Sequence, residues 1–187
     1  MRKLKLQMNI TADGFVAGPK GQLDWISTSM ETPQLKLLTE LTEGMDTIIM
    51  GRGMVEEFTT YWENVVDNQP DSPEYPFAKI FVDTPKIVFS GSAASVKGRN
   101  THVENGGLVE AVAKLKSQPG KDMIVYGGAN FVSNLLKEKL IDDLHLFVNP
   151  VAIGEGLSIF KDRVNLQLIH SIPFANGVIG NHYQQSE

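Results

Sequence analysis

Leu4, Leu6, Met8 and Ile10 alternate with polar residues, the two-residue period of a strand with one buried face. Thr47-Ile48-Ile49-Met50 is instead a continuous apolar run, the pattern of a strand covered on both faces. Lys86-Ile87-Val88-Phe89, Met123 to Tyr126 and Leu144 to Val148 read as further strands, with a short one at Thr101–Val103. Helical spacing fills the intervals. Leu35, Leu38 and Leu41 share one face after Thr32-Pro33, where proline suits a first turn, and Gly44 stops that helix. A helix is expected from Met54 to Thr60 and a short one over Phe77–Val82. Leu108, Val112 and Leu115 mark another, closed by Pro119-Gly120, and Phe131, Leu135 and Leu136 give the inner face of a helix over 130–139. Tyr61 to Pro76 contains three prolines and reads as loop.

The tail changes character. Asn165–Ile172 and Val178–Gln184 are strand-like and separated by Pro173 and Asn176-Gly177, which predicts an antiparallel hairpin. Strands alternating with helices and ending in a hairpin predict a three-layer α/β fold: a mostly parallel central sheet with an antiparallel C-terminal hairpin. A length of 187 residues is expected to form one domain, 1–187.

Composition narrows the function. The net charge of −5 offers no general attraction to nucleic acid or anionic membrane, so an anionic ligand must be held by local donors. No cysteine is present, which excludes disulfides, thiolate metal sites and a cysteine nucleophile. His102, His145, His170 and His182 lack metal-ligand spacing and read as structural or exposed, so no metal is expected. No segment reads as a signal peptide or membrane span, and a cytoplasmic location is the expectation.

Candidate chemistry concentrates where strands end. Gly51-Arg52-Gly53, Ser90-Gly91-Ser92 and Gly127-Gly128-Ala129-Asn130 each follow a strand, and two of them lead into helices. Ligands of open α/β sheets lie beyond such strand ends, and a helix N-terminus offers unpaired N–H groups and positive potential to an anion. One arginine and several hydroxyls complete a set suited to the phosphates of a dinucleotide. Neither GxGxxG after the first strand nor GxxxxGK[ST] occurs, so the Rossmann fingerprint and the P-loop are both absent. Gly154-Glu155-Gly156 reads as a plain loop. Asp13 and Asp24 are the carboxyl groups in the glycine-rich loop bordering this region.

Six pieces in this order resemble the dihydrofolate reductase-like superfamily, and within it stand-alone proteins similar to the reductase domain of riboflavin biosynthesis (the RibD C-terminal domain). They are Asp13-Gly14-Phe15, Gly21 to Trp25, Met50-Gly51-Arg52, Val88-Phe89-Ser90, Tyr126 to Ala129, and Pro150 to Gly154. The resemblance implies an NADPH-dependent reductase acting on a small molecule, and a homodimer contacting through its terminal strands. By the same resemblance Gly51, Arg52, Gly53 and Met54 sit at cofactor phosphates. Ser90, Gly91 and Ser92 lie near the adenosine ribose, with Lys97 or Arg99 as possible helpers. Tyr126, Gly127, Gly128, Ala129, Asn130 and Phe131 carry the pyrophosphate, with a cis peptide between the two glycines. The loop from Val16 to Trp25 is then a lid, with Ala17 near the nicotinamide. Trp25 and Phe58 are substrate-side aromatics, and Asp24 or Asp13 the proton donor.

The chain also departs from these relatives. The acid that dihydrofolate reductases carry on the first helix has no counterpart near Gln34-Leu35-Lys36, Glu31 lying earlier. Phe15 replaces the lysine of the riboflavin reductases, and Met54 stands where a threonine is usual. Two further readings stay open: a non-catalytic NADPH-binding module, and a dihydrofolate, nitro or quinone reductase.

Overall fold

The computed structural model describes residues 1–27, 32–92 and 95–186. Its elements run β1 (Leu4–Thr11), α1 (Thr32–Glu43), β2 (Met45–Gly51), α2 (Arg52–Asn68), α3 (Tyr75–Asp83), β3 (Lys86–Phe89) and β4 (Thr101–Glu104). There follow α4 (Leu108–Ser117), β5 (Asp122–Val125), α5 (Ala129–Lys137), β6 (Asp143–Asn149), β7 (Leu166–Pro173) and β8 (Ile179–Gln185). The strands form one eight-stranded sheet in the order β4-β3-β2-β5-β1-β6-β8-β7. From β4 to β6 every pairing is parallel, and β8 and β7 join antiparallel at one end. The mostly parallel sheet with a C-terminal hairpin is therefore as expected. Glu31 lies outside the described residues.

One element is longer than its sequence suggests. α2 continues to Asn68, eight residues past the expected end at Thr60. Val55, Thr59, Trp62 and Val65 keep the three-to-four-residue spacing of an inner face through that stretch, and the first proline, Pro70, comes only afterwards. The period outweighs the polar composition.

Crossovers set the layers. β2 connects through α2 and α3 to β3 on one side, while β5 connects through α5 to β6 on the other. Parallel crossovers share one hand, so helices leading in opposite directions lie on opposite faces. The core agrees. Val55 of α2 and Phe81 of α3 pack on Ile48, Met50, Val88 and Ile124. Val132, Leu135 and Leu136 of α5 pack on Leu4, Leu6, Met123 and Val125 across the sheet. Each such fully buried aliphatic side chain contributes about 1.5–3 kcal/mol of transfer free energy. The carboxyl ends of β2 and β5, adjacent in the sheet, are thus the point where connections diverge.

Two buried polar groups hold the frame. Lys86 begins β3, and its Nζ donates to the carbonyls of Phe81, Val82 and Thr84 at the end of α3. Burial pushes that ammonium down to about 8, and the three carbonyls at a helix C-terminus work against the loss of its charge. Asp143 opens β6 and accepts from Lys3 Nζ (2.9 Å) and Gln184 Nε2 (2.9 Å), with His182 Nε2 2.8 Å away. Burial opposes its charge, but these donors hold the carboxyl far below the usual carboxylate range. The His182 ring stacks on His145 with centroids 4.4 Å apart, and burial together with that neighbour pushes His145 down to about 4.

Candidate functional site

α2 and α5 both start at a glycine. Gly51 and Gly128 are the residues before them, neither helix has a side-chain cap, and neither carries an acid in its first turn. α4, by contrast, has Glu110 there. In α5 the first intrahelical bond is Val132 N–H to Gly128 O at 3.0 Å. Among the described residues, the N–H groups of Ala129, Asn130 and Phe131 find no acceptor. That leaves aligned donors and the positive end of a helix dipole facing outward.

Close approach explains the glycines. A Cβ on Gly51 would stand 2.7 Å from Phe131 Cβ, so the start of α5 packs directly on the end of β2. A Cβ on Gly127, whose φ is +155°, would stand 2.9 Å from Met54 Sδ in the first turn of α2. The two helix starts, approaching from opposite faces, therefore abut. The Gly127–Gly128 peptide is cis, as the resemblance implies. Gly128 differs from its neighbour: a Cβ there would meet nothing within 4 Å. The space beside it is open.

Arg52, the first residue of α2, is exposed and makes no hydrogen bond or ion pair among the described residues. Ser90, Gly91 and Ser92 leave the end of β3, beside β2, with Ser90 N–H bonded to Glu104 O at 3.1 Å. The turns after β3, β2 and β5 and the end of β1 thus line one edge across four neighbouring strands, about 14 Å at the usual strand spacing. Arg99 is committed elsewhere: its guanidinium binds Asp67 through both nitrogens, at 2.9 and 2.6 Å. Of the two possible helpers, exposed Lys97 makes no such pairing among the described residues.

Three side chains face the core instead of the crevice. Phe58 belongs to an aromatic cluster with Trp62, Phe81 and Tyr126, its ring stacked on Tyr126 at 6.2 Å. Packing against Phe81 of α3 holds the half-buried ring in this cluster. Tyr126 turns its hydroxyl toward Met45 Sδ at 3.7 Å, and burial pushes its phenol up. Phe131 packs against Phe89, ring centroids 5.4 Å apart.

The loop after β1 is pinned. Val16 N–H donates to Leu157 O and Leu157 N–H to Ala17 O, both at 2.8 Å, so Ala17 is buried in a two-residue antiparallel bridge. Gly156 permits it: a Cβ there would stand 2.3 Å from Ala17 O. Gly154-Glu155-Gly156 thus does more than turn the chain. Asp13 is part of the same clamp. It accepts from Thr11 Oγ1 (2.6 Å), Gly154 N–H (2.8 Å) and Ile153 N–H (3.0 Å), and those donors, Thr11 first, lower its pKa. A carboxylate held in its charged form is a poor proton donor. Asp24 is exposed and makes no hydrogen bond among the described residues, while Trp25 beside it has a buried Nε1 with no partner.

Asn9 and Asn149 form a hydrogen-bonded pair that pattern reading passes over. Asn149 is 1% exposed at the end of β6 and donates from Nδ2 to Asn9 Oδ1 (3.1 Å) and to Phe147 O (3.0 Å). Its Oδ1 accepts from Ser27 N–H at 3.2 Å, holding the end of the Trp25 segment. The only sequence signal was an amide beside Pro150 at a strand end.

Two shallow hollows lie at the opposite ends of the strands, around Arg2, Gly120 and Asp122 and around Asp46, Ile80 and Pro85. Neither touches the glycine turns.

Comparison with known proteins places this geometry. The family model described as RibD C-terminal domain matches residues 2–179. The uncharacterized protein YyaP of Bacillus subtilis (strain 168) is 30% identical over 181 residues, covering 95% of this chain and 92% of that one. A Shewanella sp. PV-4 protein named for riboflavin biosynthesis has a similar structure, with TM-score 0.74, 21% identity and 100% of both chains covered. Dihydrofolate reductase from Enterococcus faecalis, solved in complex with NADP(H), superposes with TM-score 0.63 at 15% identity, covering 99% of this chain and 97% of that one.

Proposed function

The chain belongs to the RibD C-terminal domain family, and on that premise we propose that it is a reductase using NADPH to reduce a small heteroaromatic or imine-like molecule. One observation carries the proposal: the uncapped starts of α2 and α5 abut at the crevice where the sheet's connections diverge. Arg52 and the N–H groups of α5 would hold the phosphates, and the serine turn after β3 the adenosine end. When bound there, NADPH supplies the hydride.

The chain's own part is to bind, orient and exclude water. Ala17, bridged to Leu157, forms a wall beside the end of β1. Asp13 stays ionised and serves to hold the 153–154 turn against this loop. The proton accompanying the hydride then comes from Asp24 or from water reaching that exposed carboxyl. Trp25 shields the substrate side.

A 2′-phosphate at the adenosine end adds charge for Arg52 and the serine turn at Ser90 to meet, so NADPH should bind at least about 10-fold more tightly than NADH, as expected for one added charge-assisted contact. Fluorescence titration with both cofactors checks this, and equal affinities would count against the site. Turnover is tested by following NADPH oxidation over pyrimidine, pterin, nitro and quinone acceptors. Tight NADPH binding without oxidation of any of them would favour a binding module.

The hairpin supports self-association. Residues 164–186 contain no Asp, Glu, Lys or Arg, and Leu168 and Ile169 on edge strand β7 are 53% and 46% exposed. Edges without charge invite a partner. A bulge between Leu168 and His170 interrupts the backbone ladder, so side-chain packing of two hairpins is the contact proposed. Sedimentation should show a dimer, and Leu168→Lys with Ile169→Lys should shift it to monomer. A wild-type monomer at the highest concentration measured would contradict this.

A further inference from the structure

Asn9 lies on β1 opposite Phe147, on the sheet face that carries Lys5, Gln7 and Thr11. Its amide orientation is fixed by its neighbours, not by its own preference. Phe147 O demands a donor from Asn149, and Ser27 N–H demands an acceptor, so Asn149 can point its amide one way only. Asn149 Nδ2 then requires the oxygen of Asn9. Asn9 must therefore turn Oδ1 toward β6 and its NH2 toward the other side of β1, where β5 ends at the glycine pair. Asn9 as a residue is half-buried, and its NH2 has no acceptor among the described residues. Trp25 Nε1, on the segment that Asn149 holds through Ser27, is a second donor without an acceptor. The unmatched groups around Asn149 are both donors, and of the two Trp25 Nε1 is the buried one, where lacking a partner is costly.

Resting on the reductase reading above, we propose that Asn9 orients the molecule being reduced, its NH2 donating to a carbonyl oxygen or an unprotonated ring nitrogen of that molecule. Asn149 is the positioning residue that presents this donor. The site selects rings whose inward edge carries acceptors. A protonated or amino edge would meet N–H against N–H and is rejected, a selection that two apolar walls could not make.

Asn9→Asp tests this without changing shape, since one carboxylate oxygen still accepts from Asn149 while the other replaces the donor. NADPH affinity is measured first by fluorescence, then uptake of uracil and of pterin by the NADPH complex using saturation-transfer NMR. Wild-type complex is expected to bind at least one of these carbonyl-bearing rings. Asn9→Asp should weaken that binding at least about 10-fold with NADPH affinity unchanged within about twofold, a tenfold loss matching one hydrogen bond turned to repulsion. Asn149→Leu, which frees the Asn9 amide to rotate, should give a smaller loss. Retained NADPH binding with equal ring affinity in Asn9→Asp overturns the assignment, as does a wild-type complex that takes up neither ring. Failure of wild type to bind NADPH overturns the reductase reading together with it.

Discussion

Gly128→Val is expected to weaken NADPH binding by more than about 100-fold, about 2.7 kcal/mol, while the domain stays folded. The reason lies in two features of one residue. Its φ of −71° and ψ of 164° are open to any side chain, and a Cβ there meets nothing within 4 Å. The folded chain therefore has room for valine. On the proposed reading, however, valine would crowd the N–H groups at the start of α5, where a phosphate must come within hydrogen-bond distance. Fluorescence titration reads the affinity, and a thermal melt should move by no more than about 4 °C, the shift of about 1 kcal/mol in a protein of this size. Gly51→Ala is the contrast, because its Cβ would stand 2.7 Å from Phe131 Cβ. That variant should lose stability along with affinity.

Asp143→Ala should destabilise the fold by about 3 kcal/mol, the lower end for breaking a buried ion pair because Lys3 is half in solvent. Three strands meet at this carboxylate: Lys3 precedes β1, Asp143 begins β6, and His182 and Gln184 belong to β8. Its folded-state pKa lies well below that of the unfolded chain. The stability it contributes is thus fully present above the unfolded value of about 4 and is lost as pH falls through the folded one. Urea melts should show the full difference between wild type and variant at neutral pH, and a shrinking difference in strong acid. A difference that stays constant down to the acid limit would mean that packing, not charge, is what the aspartate supplies.

Much of this architecture is written in local pattern. The alternation of Leu4, Leu6, Met8 and Ile10 and the unbroken run at Ile48-Ile49-Met50 report burial on one face and on two, and the structure has them so. Gly51 and the Gly127-Gly128 pair stand out because small residues at a strand end are unusual unless backbones must approach. What pattern does not encode is adjacency. Nothing local says that β5 inserts between β2 and β1, and only that insertion brings Gly51 against Phe131. Phe58 shows the same limit: an aromatic on a helix looks alike in sequence whether it meets a ligand or Tyr126. Asp13 is legible as a turn residue through Gly14, whose φ is +90°, but its bonds to residues 153 and 154 come from far along the chain. The pair of Asn9 and Asn149 lies deepest, since its meaning rests on which atom faces which.

The central claim is that two abutting helix starts grip the phosphates of NADPH, and the most direct measurement is a crystal structure of the protein grown with that cofactor. The account predicts density running from the serine turn at residues 90–92 across Arg52 to the end of β1, with phosphate oxygens on the N–H groups of residues 129–131. Well-ordered crystals in which this crevice stays empty under saturating NADPH, or binds the cofactor at another edge of the sheet, would contradict it.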